Sequence, residues 1–167
     1  MSAPVRPVPT DVGTAFQLWW AVIGLGVVYL FASLGVLWGD RAETAEQLAN
    51  DMRASDPGGP LANVSPDAAM AITLAVLAMF GLAIATVVVF VTFQMRRGQV
   101  WARMLLTMIA VFLVFSAVPV LFGLGPENGG VAGVVAGGAS VLDAVAAGGA
   151  VWLMHRRESN EYFARAR

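Results

Sequence analysis

Residues 70–93, MAITLAVLAMFGLAIATVVVFVTF, contain no charged side chain, and their reading decides the fold class. At 1.5 Å per residue such a helix reaches about 36 Å, enough to cross the roughly 30 Å hydrocarbon core of a bilayer. Within lipid every peptide N–H and C=O must find its partner inside the segment, so the run is expected to be a spanning helix. Ser65 before Pro66 supplies a cap and an N1 proline at its start, and Arg96, Arg97 and Gly98 stop it. Three further apolar stretches read the same way, which places spans at about 18–38, 69–94, 102–122 and 131–154. The expected architecture is all-α, a four-span transmembrane helix bundle. Pro119 falls inside the third span and removes one backbone hydrogen bond there.

Composition agrees with this reading. Of 167 residues, 58% are hydrophobic and 13% charged, and the mean hydropathy is +0.73, well outside the range of soluble domains. One membrane domain, residues 11–154, is expected to follow a disordered leader at 1–10, where Pro4, Pro7 and Pro9 disfavour regular structure, and to precede a polar tail at 155–167. Cysteine is absent, which excludes thiol nucleophiles, disulfides and thiolate metal sites. A net charge of −1 gives no electrostatic footprint for nucleic acid.

Arginine placement orients the chain, since lysine is absent. Arg6, Arg96, Arg97, Arg103, Arg156, Arg157, Arg165 and Arg167 fall on one side of the four spans, and only Arg41 and Arg53 on the other. By the positive-inside rule both termini are expected in the cytoplasm of a plasma (inner) membrane protein, N-in and C-in. The outer loop, 39–67, carries Asp40, Glu43, Glu46, Asp51, Asp56 and Asp67 and is acidic. Within it Asp40 and Glu43 form an Asp variant of a capping box. A short extracytoplasmic helix should follow, with Ala45, Leu48, Ala49 and Met52 on one face, resting on the rim of the bundle. Trp19 and Trp20 at one end of the first span and Trp38 at the other are expected at the two interfaces, as is Trp152 in the fourth.

Asp143 is the costly residue. It lies near the middle of the fourth span, and inserting it takes about 2.5–3.5 kcal/mol on translocon scales, so a partner, water or protonation must offset the charge. Ala136, Ala139, Ser140, Ala147 and Ala150 share its face, which aims the carboxyl into the bundle. Counting turns from the cytoplasmic end brings Tyr29 to the same depth, with Ser33 one turn beyond, Ser116 in the third span and Thr86 in the second. No basic residue reaches that level, so a neutral Asp143 donating a hydrogen bond within this cluster is expected, and bulk at 143 should loosen packing on the first helix. Gly129, Gly133 and Gly137 form overlapping G-x-x-x-G steps which, with Ser140, mark a tightly packing helix.

Arg96-Arg97-Gly98-Gln99-Val100-Trp101-Ala102-Arg103 makes a cytoplasmic turn in which Arg96, Arg97, Arg103 and an interfacial Trp101 suit anionic lipid headgroups. With this turn, the Pro-rich leader and the lack of lysine, the chain resembles the small four-helix integral membrane proteins of high-GC bacteria. That resemblance runs over all four spans and implies membrane location rather than an activity. His155, the single histidine, adjoins Arg156 and Arg157 at a helix C-terminus, where a cation favours the helix dipole; it is not expected to bind metal. Catalytic triads, His-Glu clusters and P-loops are absent from the sequence, so neither a catalytic residue, a cofactor nor a metal is expected. The expected role is that of an accessory, scaffold or regulatory membrane protein whose partners are the bilayer and either another membrane protein or a second copy. The alternative is a small transporter or proton-coupled channel built around Asp143.

Overall fold

The computed structural model describes residues 10–60, 63–123 and 130–159, without the side chain of Glu43. Their regular structure consists of helices: α1 Thr10–Gly39, α2 Arg41–Ser55, α3 Pro66–Arg96, α4 Val100–Leu121 and α5 Gly130–Met154. Of these, α1, α3, α4 and α5 are long and apolar enough to cross a membrane, and the protein is a membrane protein by that measure. Residues 1–9, 61–62, 124–129 and 160–167, and with them most of the expected leader, Gly129 and much of the tail, lie outside the described residues.

Local chemistry explains where each helix starts and stops. The Ser65 hydroxyl accepts from the Ala68 amide at 3.3 Å and Pro66 takes the first helical position of α3. At its other end Gly98, with φ +81°, enters the left-handed region that favours glycine. Its amide bonds the Met95 carbonyl at 2.9 Å and that of Gln99 bonds Gln94 at 3.2 Å, the paired bonds of a Schellman turn. The Arg-Arg-Gly sequence is thus the reverse turn that hands α3 to α4. Pro119 lies in the last turn of α4, which ends two residues later.

α1 begins at Thr10, ahead of the expected span, and Arg156 pairs with Asp11 of its first turn at 3.3 Å. Two sequence expectations need correction. First, the Asp40 side chain makes no capping bond to α2; the Asp40 amide bonds the Val36 carbonyl, so α2 leaves α1 almost without interruption and needs no separate cap. Second, Trp19 faces inward. It is fully buried, while Trp20, Trp38, Trp101 and Trp152 are exposed, as residues of an interfacial belt should be. Below the bundle's fourth span, the start of the polar tail is also folded: Ser159 is buried and donates to the Leu153 carbonyl at 2.9 Å.

The tight core sits in the half of the bundle nearest the α3–α4 turn. Val12, Ala15, Trp19 and Val22 from α1 meet Val88, Val91 and Met95 from α3, Ala102, Leu106 and Ala110 from α4, and Ala147, Ala150 and Met154 from α5. Phe16, Trp20 and Phe93 pack edge to face at 5.7–6.3 Å between centroids, each such pair contributing about 0.5–1.5 kcal/mol. At the opposite end α2 lays Ala45, Leu48, Ala49 and Met52 inward, with the last three against Val64, Ala68 and Ala69. Arg53 ties it down by donating to the Val64 carbonyl at 2.7 Å.

Candidate functional site

α5 packs most extensively on α1 and next on α4, while α1 also carries α3. The buried positions of α5 are Gly133, Ala136, Ala139, Asp143, Ala144, Ala147, Ala150 and Met154, a stripe of small residues at helical spacing. Small side chains let α1 approach closely, and between helices in lipid this contact replaces the missing hydrophobic drive. An α-carbon substituent built at Gly149 would lie 3.7 Å from Leu18, one at Gly26 would lie 3.8 Å from Asp143 Oδ2, and one at Gly35 would lie 3.5 Å from Ala132. These three pairs fix an antiparallel register. On the α4 side a substituent at Gly137 would come within 3.3 Å of Val120, and Ser140 donates to the Gly137 carbonyl at 2.9 Å.

That register opposes Asp143 with Gly26, one turn short of Tyr29. Setting Trp19 level with Leu153 produced the offset, because Leu18 lies against Gly149, one turn before Leu153. Asp143 is 5% exposed, and its Oδ1 is buried without a hydrogen-bond partner among the described residues. The carboxyl lines a cavity of about 300 Å³ shared by all four apolar helices, with Val22, Ile23, Gly26, Val27, Tyr29 and Leu30 on α1, Gly81, Ile84, Ala85 and Val88 on α3, and Ile109 and Leu113 on α4. A neighbouring cavity of about 190 Å³ is lined by Tyr29, Ser33, Ser140, Val36, Val120, Ala136 and Gly137.

Of the predicted polar cluster, the structure therefore gathers Asp143 with Tyr29 and places Ser33 and Ser140 in the adjoining space. Thr86 and Ser116 do not join it. Both are exposed on the lipid-facing surface, where Thr86 donates to the Leu82 carbonyl at 2.8 Å and Ser116 to the Leu113 carbonyl at 2.9 Å. Each hydroxyl is satisfied by its own helix, which removes any need to face inward. Gly26 was not foreseen. The sequence signal was present as a glycine on α1, since a glycine facing a stripe of small residues marks close backbone approach.

The basic end gathers the other predicted residues. Arg96 lies over the Phe16 ring at 4.9 Å and Arg156 over Trp152 at the same distance. Arg97 and Trp101 are exposed and Arg103 is half-buried. Arg103 and His155, with Val100, Met104, Thr107 and Met108, line a groove of about 510 Å³. Arg41, over Trp38 at 5.0 Å, belongs to the opposite end with α2. No protein-family model, curated protein or solved structure matches this chain, so its function has to be argued from these residues.

Proposed function

We propose that this is an integral membrane accessory, scaffold or regulatory protein without catalytic activity of its own. The observation that carries this reading is the packing between Asp143 and the basic end. A carrier or proton channel needs polar groups or water from the carboxyl to both surfaces. On the basic side Trp19, Leu106, Ala147, Ala150 and Met154 are fully buried and fill the space. The polar side chains that line the cavity and its neighbour beside Asp143, Tyr29, Ser33 and Ser140, lie toward the other surface, and the buried Thr92 hydroxyl on the basic side is spent on the Val88 carbonyl of its own helix. An outward groove on α4 and α5, where Val134 is exposed and Gly138 has open space beside it, is shaped for a neighbouring helix. Arg96, Arg97, Trp101 and Arg103 hold anionic headgroups at the basic end in this reading.

Reconstituted alone into vesicles with a trapped pH dye, the protein will pass protons no faster than protein-free vesicles. Proton flux that disappears in Asp143→Asn would replace this reading by the transporter one.

The same proposal puts the protein in the plasma membrane with the basic end cytoplasmic and α2 outside. Ala54 and Gln99 are both exposed, and the chain has no cysteine to interfere. In intact cells Ala54→Cys will react with a membrane-impermeant thiol reagent and Gln99→Cys will not. The reverse pattern would invert the topology.

A further inference from the structure

We propose that the cavity at Asp143 is a binding site for a small lipophilic amine, a compact apolar body carrying one amino group, reached from within the bilayer. The carboxyl is nine-tenths buried or more, and Oδ1 has no partner among the described residues. A polar atom left in this state is costly unless a ligand or partner satisfies it. The space it faces, about 300 Å³, is at the lower end of small-molecule pockets, which combine apolar walls with a few placed polar groups. Here the walls are aliphatic apart from Tyr29 and Asp143, and no cationic side chain lines them. Gly26 keeps the carboxyl uncrowded.

Access and depth narrow the ligand class. Tyr29 and Ile84, at 45% and 49% exposure, stand on the rim of the cavity and open it toward lipid. Asp143 is nine positions from Trp152, about 13 Å along the helix, which is too deep for a headgroup ammonium resting at the interface. The amine must therefore enter the hydrocarbon as the neutral base. When Asp143 carries a proton, that proton passes from the carboxyl oxygen to the nitrogen lone pair, which gives an ammonium carboxylate pair and requires no further reactant. Attraction between unit charges is strong in such a medium, whereas an alcohol of the same shape offers only a hydrogen bond. This inference does not rest on the accessory role, and loss of either leaves the other standing.

The test uses the full chain in nanodiscs, with empty nanodiscs as reference, and three probes: cyclohexylmethylamine, cyclohexylmethanol and cyclohexanecarboxylate. Calorimetric titration should show the amine binding at least tenfold more tightly than the alcohol, with no binding of the carboxylate. Asp143→Asn should lower amine affinity to that of the alcohol. Ala85→Leu, which fills the cavity and keeps the carboxyl, should weaken both by tenfold or more while the helical circular dichroism is retained. Equal affinity of wild type for amine and alcohol, or undiminished amine binding in Asp143→Asn, would overturn the proposal. If the Asn variant does not fold, unchanged amine binding in Ala85→Leu overturns it equally.

Discussion

Trp19→Ala will destabilise the bundle by about 3 kcal/mol, the largest loss expected from any single truncation in this chain. Trp19 is the largest of the fully buried side chains and sits where α1, α3, α4 and α5 meet. In lipid the transfer contribution to helix packing is small, because acyl chains are as apolar as the core. What is lost is contact, and a void on the order of 130 Å³ at about 24 cal/mol per Å³ gives the stated value. Trp19→Phe separates volume from polarity: the indole Nε1 is itself buried without a partner among the described residues, so removing it relieves a desolvation cost that offsets part of the lost volume. Unfolding by SDS titration in mixed micelles would measure both variants. A smaller loss for Trp19→Ala than for Trp20→Ala, whose ring is half exposed, would show that Trp19 does not occupy the core.

Asp143→Leu will raise stability in the same assay, by about 1–3 kcal/mol. The sign reverses the expectation drawn from the small-residue stripe alone, under which bulk at 143 loosens the contact with α1. The cavity changes the argument. Leucine places apolar volume into a space with aliphatic walls and removes a buried polar group that has no partner for Oδ1, and filling a void while deleting an unsatisfied group acts in one direction. Asp143→Asn will leave stability within about 0.5 kcal/mol of wild type, since the amide has the same shape and the same lack of partners. Loss of stability in Asp143→Leu would show instead that the carboxyl is held by a structural partner.

The sequence carried the existence and nearly all the boundaries of the helices, because their signals are local. Ser65-Pro66 marks a start and Arg97-Gly98 a stop through bonds made within a few residues. The stripe Ala136, Ala139, Asp143, Ala147 and Ala150 was equally legible, since its spacing requires one face. What misled was the use of tryptophan as a marker of the exposed face. Trp19 and Trp20 are adjacent and point to opposite environments, one into the core and one to lipid, and composition cannot assign which is which. Separately, pairing Trp19 with Leu153, where the structure sets Leu18 against Gly149, moved the α1 register by one turn and brought Tyr29, rather than Gly26, opposite Asp143. Thr86 and Ser116 were placed by depth alone; depth leaves the helix face undetermined, and a hydroxyl that can bond its own helix has no preference for the interior.

The sequence by itself determined that this chain forms four apolar helices long enough to span a membrane, which end of the bundle is basic, and that one acid lies deep in the fourth helix. These follow from hydropathy, helix length and charge, which are sums over neighbouring residues. Only the tertiary structure decided that the basic half is filled by Trp19, Leu106 and Met154, that Gly26 and not a polar side chain meets Asp143, and that the carboxyl borders an apolar cavity. Those are properties of rotation and register between helices. In lipid both are set by close steric fit between small-residue faces rather than by a hydrophobic pattern, and steric fit is specified by pairs of residues far apart in the chain.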